Sequence, residues 1–410
     1  MSFPNNLINN GDYIRDKHHL CKVKKTYSAS FWILCIHMLL FFISFNLIIP
    51  ELNDYITSLG GADQKWLILG LWTLAAAIAR PFSGKIADNF GRKSTIFIGV
   101  IVSIVISFIY PFFSSITAFL TLRFLHGFST GFQPTGATAL VGDIIPQGRR
   151  GEAMGIFSMT ISIGFGLGNY FSTTIFQHFQ INGLFIASGL CGIIALSLVL
   201  LIKEEEKPKV DFNLRNIIPK WNEIIGREVL QPTVFMFITA TIAGIYYLLV
   251  PDFSTHLGME EKGIFWLFFT ATSLGTRFLA GKAADKYGYR NNLLVGLSIE
   301  VVSGLLCAYA TTPFDFLLAA SLFGIGAGMI TPAIFAWTAD LANPVFKGRG
   351  IGTMFIALEV GIALGGLITQ KVYDNNPENF KHAFLFGVLL CVVGLAYLWF
   401  TKKRKIINSQ

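Results

Sequence analysis

In hydrocarbon every backbone N–H and C=O must find its partner inside the protein, which leaves helices and closed barrels as the only spanning forms. A run of about 20 largely apolar residues is therefore the length at which a helix crosses a bilayer. This chain has twelve such runs, at about 28–50, 66–87, 94–112, 116–145, 152–176, 183–202, 231–250, 263–284, 292–312, 315–341, 351–371 and 382–401. Its charged fraction is 14%, against about a quarter in ordinary soluble domains. The chain reads as an all-α membrane protein with twelve transmembrane helices.

Residues 1–27 are polar and carry no signal-peptide pattern, so the first apolar run is expected to be a retained helix. An even number of spans puts both termini on one side. Of 32 lysines and arginines, 25 fall in the tails and the loops of that side. Only Lys65, Lys262, Lys371 and Lys381 fall in the opposite loops, and Arg80, Arg123 and Arg277 lie inside spans. The positive-inside rule then makes both termini cytoplasmic and accounts for the net charge of +8 without nucleic-acid binding.

The chain repeats itself. Arg80-Pro-Phe-Ser-Gly-Lys-Ile-Ala-Asp-Asn-Phe-Gly-Arg-Lys93 returns as Arg277-Phe-Leu-Ala-Gly-Lys-Ala-Ala-Asp-Lys-Tyr-Gly-Tyr-Arg290, each position displaced by 197. The same displacement relates Gly127 to Gly324, Gly131 to Gly328, Asp143 to Asp340, Gly155 to Gly352, Gly164 to Gly361 and Gly168 to Gly365. A register held that long implies internal duplication of six-helix halves, a plan common in transporters. The expected organisation is a tail at 1–27, a bundle at 28–202, a cytoplasmic linker at 203–230, a second bundle at 231–401 and a tail at 402–410. In the linker Phe212, Leu214, Ile217, Ile218, Trp221, Ile224 and Ile225 recur at helical spacing, which predicts a helix lying in the interface.

The segment Gly84-Lys-Ile-Ala-Asp88-Asn-Phe-Gly91-Arg92-Lys93 resembles the loop signature Gly-x-x-x-Asp-x-x-Gly-Arg-Lys of the major facilitator superfamily. Gly84 would let a neighbouring helix approach, Gly91 permits a tight reversal, and Arg92 and Lys93 anchor the loop on the inner face. Asp88 needs a partner, for which a helix N-terminus, Arg149 or Arg150 would serve. The resemblance implies two pseudo-symmetric six-helix bundles, with the substrate path between them and alternating access to it. It also implies that the motif is a latch between the halves that holds the outward-open state. That role falls on Gly84, Asp88, Gly91, Arg92 and Lys93, and in the second copy on Gly281, Asp285, Gly288 and Arg290.

Arg123-Phe-Leu-His126-Gly127 resembles the Arg-x-x-x-Gly signature of proton-coupled members of the superfamily, in its drug antiporter-like branch. Burying an arginine in a span costs about 2.5–3.5 kcal/mol on insertion scales, so Arg123 should face a cavity or partner, or else snorkel outward. Its counterpart in the second copy is Ala320. His126, Gly127, Thr130 and Pro134 share a helix face that is expected to line the cavity. Glu359 has Gly352 and Gly366 seven residues to either side, so it should point inward and suits a group that cycles protons. Glu300 and His37 are further candidates, His37 with a core role as its alternative. Phe41, Phe45, Asn46, Tyr246 and Tyr247 are cavity candidates because their helices line the path in related proteins. Pro50-Glu51 and Pro251-Asp252, displaced by 201, mark equivalent outer helix ends.

Antiporters of the family carry a Gly-Pro signature where this chain has Gly168-Asn169, which leaves the direction of transport open. Cys21, Cys35, Cys191, Cys307 and Cys391 show no paired spacing, and His18-His19 with Cys21 reads as a solvated basic tail, so no disulfide framework or metal is expected. The sequence lacks a nucleotide-binding Gly-x-x-x-x-Gly-Lys-[Ser/Thr] and a His-Glu-x-x-His, so neither an ATP-driven pump nor an enzyme is expected, and no cofactor. The sequence thus points to proton-coupled efflux of a small organic solute by a monomer in a bacterial inner membrane. Nutrient uptake by proton symport and a non-transporting sensor are the alternatives.

Overall fold

The computed structural model describes residues 27–144, 150–202, 217–219, 224–342 and 347–400, with side chains at 88, 150–152, 278–287 and 347–349 outside that description. His18, His19, Cys21, Arg149, Phe212, Leu214 and Trp221, and the side chains of Asp88, Arg150 and Asp285, therefore lie outside the described residues. Ile217, Ile218, Ile224 and Ile225 are described, and they sit in turns and irregular backbone.

Long helices follow the apolar runs. They are α1 (Ala29–Asn46), α2 (Lys65–Phe90), α3 (Arg92–Ile109), α4 (Ile116–Ile144), α5 (Arg150–Leu201), α6 (Leu230–His256), α7 (Ile264–Tyr287), α8 (Tyr289–Tyr309), α9 (Pro313–Leu341), α10 (Lys347–Tyr373) and α11 (Phe380–Phe400). Nine segments among the described residues are long and apolar enough to cross a membrane. The helix α5 holds two of the expected spans, because its backbone breaks at Gln180 (φ 57°, ψ −171°). Its limbs run in opposite directions along α1. Gly164 lies against Leu39 and Gly168 against Ile43, whereas Ser188 meets Ser44 and Ala195 meets His37.

Starts and stops are local. Ser28 accepts the Phe31 N–H at 3.3 Å and so caps α1. Thr312 and Asp315 form a reciprocal capping box on α9. Gly91 (φ 101°) and Gly288 (φ 82°) occupy backbone angles that a Cβ strains, and they make the sharp turns from α2 to α3 and from α7 to α8. Lys93 then donates to the Ile202 carbonyl at 2.7 Å and Arg290 to that of Leu398, so each basic residue caps the C-terminal end of a helix in its own bundle.

Packing repeats with the sequence. A Cβ on Gly127 would lie 2.1 Å from the Trp72 carbonyl oxygen, and one on Gly131 would lie 2.3 Å from Ala79 Cβ. In the second half the same contacts join Gly324 to Phe269 and Gly328 to Thr276. Both members of each contact have advanced by 197, so α4 packs on α2 as α9 packs on α7. Further out, Arg92 meets Asp143 at 3.2 Å, and Tyr289 and Asp340 meet in the equivalent place. The two bundles, α1–α5 and α6–α11, face each other mainly through α2 against α10 and α5 against α7.

Because α2 carbonyls touch Gly127 directly, Gly127→Ala is expected to cost about 1–3 kcal/mol by overpacking. Gly155→Ala, whose Cβ would meet nothing within 4 Å, is expected to cost far less. Thermal melting of the two purified variants in detergent checks the contrast.

Candidate functional site

One end of the molecule carries the Gly91 and Gly288 turns and is called here the motif end; the other is the far end. At the far end the bundles are tied together by a crossed pair of ion bonds. Lys65 at the start of α2 reaches Asp252 in α6, and Lys262, between α6 and α7, reaches Glu51 at 2.9 Å in the connection after α1. Each half thus gives one base and takes one. All four charges are nearly out of water, with side-chain exposures of 9% and 7% in one pair and 10% and 1% in the other. Asn53 donates to the Leu248 carbonyl and to Asp252, Thr173 donates to Glu51, and Asn375 donates to Asp63. Burial alone lowers the Lys262 ammonium, but Glu51 and Asp54 outweigh it and hold the group above the ordinary lysine range.

Beneath this seal aromatic rings bridge the bundles. Phe165 of α5 meets Tyr247 at 6.0 Å, Trp266 at 5.2 Å and Phe269 at 6.1 Å between ring centroids. Backbone contact is equally close there, since a Cβ on Gly263 would fall on the Asn169 carbonyl oxygen. Asn169 itself donates to the Phe165 carbonyl and to Asn46, so the residue at the antiporter proline position lies at the tightest crossing described between the halves.

Toward the motif end the bundles part. Arg80 in α2 and Glu359 in α10 form an ion pair across the interface at 2.6 Å, with the guanidinium carbon 4.4 Å from the Phe355 ring centroid. Beyond them Gly84 lies one turn past Arg80, and Gly352 two turns before Glu359, each on nearly the same helix face as its charged neighbour. A Cβ on either would meet nothing within 4 Å. Gly155 in α5 is equally open. The described contacts between the bundles thus run from the far-end seal to the Arg80–Glu359 pair, with open space at Gly84, Gly352 and Gly155 beyond it.

Tyr247 and Glu359 are the sequence candidates that reach this interface. His37 is a hydrogen-bonded core residue, as the core alternative expects. Its Nδ1 lies 2.8 Å from the Ala195 carbonyl oxygen, which fixes a proton there, and its Nε2 accepts from Gln133 at 2.7 Å. The face of α4 expected to line the cavity is a packing face instead, because Gly127 admits the backbone of α2. His126 lies inside the first bundle between Ser103 and Tyr110, and Thr130 bonds the Gly127 carbonyl. Phe41 and Phe45 belong to the first bundle's core, and Asn46 bonds Phe42 and Asn169. Tyr246 is stacked on Phe323 at 4.1 Å inside the second bundle. Glu300 is buried there too, 3.9 Å from the Cys391 sulfur. Arg123 does not snorkel: it is 1% exposed, donates to the Ile68 carbonyl at 3.1 Å and lies 5.8 Å from the Trp72 ring centroid.

Arg80 was missed as a site residue because it opens the loop motif and reads as part of it. Its placement inside a span was the available signal. For the far-end pairs the signals were the outer lysines, displaced by 197, and the equivalent Pro50-Glu51 and Pro251-Asp252 ends.

The family profile described as Major Facilitator Superfamily matches residues 34–313 and, in a second match, 234–408. The chain is 27% identical over 370 residues to the multi-drug resistance efflux pump PmrA of Streptococcus pneumoniae, covering 85% of this chain and 90% of that protein. It is 26% identical over 394 residues to multidrug resistance protein 2 of Bacillus subtilis, covering 92% and 96%. The crystal structure of the nucleoside transporter NupG superposes with a TM-score of 0.69 at 14% identity, covering 92% of this chain and all of that one, a likeness of fold.

Removing one partner of a buried ion pair leaves an uncompensated charge and costs about 3–5 kcal/mol. Glu359→Gln and Arg80→Gln are each expected to lose stability on that scale, and the double variant to lose less than the sum. A double-mutant cycle read by thermal melting in detergent checks the coupling.

Proposed function

The chain belongs to the major facilitator superfamily, and from that premise we propose that this transporter exports small organic compounds in exchange for protons. The observation that carries the reading is the far-end seal of crossed ion pairs, with the described contacts between the bundles ending at Arg80–Glu359 and open space at Gly84, Gly352 and Gly155 beyond, which we read as a cleft open at the motif end. Such a shape is one state of an alternating-access cycle. The excess of basic residues at the motif end supports a cytoplasmic location for that end, and so an inward-open state in an inner membrane. The names of the relatives, a multi-drug resistance efflux pump and a multidrug resistance protein, support export.

The physics of the seal suits a reversible gate. A buried ion pair gains Coulomb energy but gives up hydration, and the two nearly cancel. Separating Lys65 from Asp252 and Lys262 from Glu51 therefore returns four ions to water at modest net cost, while the bridging rings, worth about 0.5–1.5 kcal/mol per pair beyond their buried area, set the bias toward closure. Lys262 contributes fully below the ordinary lysine pKa and loses its contribution only as pH rises through its raised value. Protons moving near neutral pH therefore leave Lys262 charged.

The proton's site is Glu359. Protonation cancels the charge that holds Arg80, and the freed guanidinium then favours water or an anion over the dry α2–α10 contact. That loosens the remaining tie between the bundles and couples proton binding to their rocking. Asp88 and Asp285 would latch the opposite state, with Gly84, Gly91, Arg92 and Lys93 and their second copies Gly281, Gly288 and Arg290 shaping and anchoring the two loops. Asn169 in place of the antiporter proline favours a second reading, uptake of a solute with protons.

Purified protein in liposomes with an imposed proton gradient tests both readings. Export predicts ethidium movement against proton flow that collapses in Glu359→Gln; movement with the protons would establish uptake, and unchanged coupling in Glu359→Gln would remove that residue's role. For the gate, Glu51→Gln with Asp252→Asn is expected to favour the far-end-open state. A cysteine placed at Gly366, beneath the seal in an otherwise cysteine-free chain, should then react several-fold faster with a membrane-impermeant thiol reagent applied from the far side.

A further inference from the structure

Arg80 and Arg277 are equivalent residues of the two copies, but their surroundings differ. Arg80 meets the carboxylate of Glu359 and the ring of Phe355 on α10. The positions 197 earlier, on α5, are Ser162 and Ser158. Where one arginine has an acid and an aromatic ring, the equivalent positions for the other hold two small hydroxyl side chains.

The register of α7 on α5 fixes this opposition. A Cβ on Gly166 would lie 2.7 Å from the Thr270 hydroxyl, so these residues mark the contact between the two helices. Arg277 is two turns from Thr270 on the same helix face, toward the motif end. Ser162 is one turn from Gly166 in the same direction. Arg277 makes no hydrogen bond or ion pair with any described residue, and its Nε is buried without a partner. It is partly exposed, and the open space at Gly155 lies two turns along the face that holds Ser162.

Arg80 and Glu359 cancel, so the fixed charge contributed by these three groups is that of Arg277. A guanidinium withdrawn from bulk water without a counterion is costly, and a carboxylate matches its fork with two parallel N–H···O bonds. We propose that Arg277, with Ser162 opposite, receives an anionic group, a carboxylate or sulfonate, on compounds that enter the cleft from the motif end. The inference rests on the transporter reading for the identity of the ligand as cargo, while its site is defined by binding alone.

Equilibrium dialysis of the detergent-solubilised full chain tests it without any gradient, with norfloxacin, which bears a carboxylate, and its methyl ester as the matched probes. The wild type should bind the acid about tenfold tighter than the ester, the scale of one charge-assisted bond. Arg277→Gln should abolish that preference while ethidium binding stays within about twofold, and Arg277→Lys should keep part of it. A preference that survives in Arg277→Gln, a wild type that does not distinguish the probes, or an Arg277→Gln variant that loses ethidium equally would overturn the proposal. Absence of proton-driven flux in liposomes alongside an intact acid preference would defeat the transport reading and leave this site standing.

Discussion

Two helix backbones can touch only where a side chain is missing, and Gly127 and Gly131 supply two such places one turn apart on α4. With no hydrophobic drive between helices in lipid, that close approach and its dispersion contacts are what bind a bundle. Because α4 lies directly on α2, α2 is held rigid along its length. It can then present Lys65 at one end and Arg80 further along toward the second bundle in fixed register. Gly324 and Gly328 do the same for α7, which begins just after Lys262 and carries Arg277 toward the motif end. The charges that meet between the bundles are placed by residues that carry none.

Among those charges are three pairs buried on both sides, whose energies are individually close to balanced, and Lys262 also meets the exposed Asp54. An ion pair that neither strongly favours burial nor strongly resists it is poor as a source of stability and well suited to a contact that must be made and broken. The far-end seal uses two such pairs and the proposed coupling site uses one. Intra-bundle polar groups follow another rule. His37 and His126 both have partners on two sides, within a core that does not open.

The apolar runs and the duplication were legible in the sequence because lipid imposes length and repetition imposes register, whereas the helix approach expected at Gly84 is absent, a Cβ there meeting nothing within 4 Å. Glu359 was legible from the glycines that flank it, and Tyr247 from the family resemblance, since members line the path with that helix. The cavity face of α4 was not. Helical periodicity reports which residues share a face, and His126, Gly127 and Thr130 do, but it cannot tell a face turned to a cleft from one turned to a neighbouring helix. Gly127 carried the answer, since a glycine at a backbone crossing marks packing. Arg80 was obscured by its place in a loop motif, although an arginine inside a span already demanded a partner.

The crossed pairing of Lys65 with Asp252 and Lys262 with Glu51 is the bonding pattern of a two-fold symmetric dimer, in which residue i meets j and j meets i. Each half therefore carries a complete, self-complementary contact on its own surface. Two copies of one half would suffice to form both bonds, and joining two such halves in one chain makes an isologous interface an internal one.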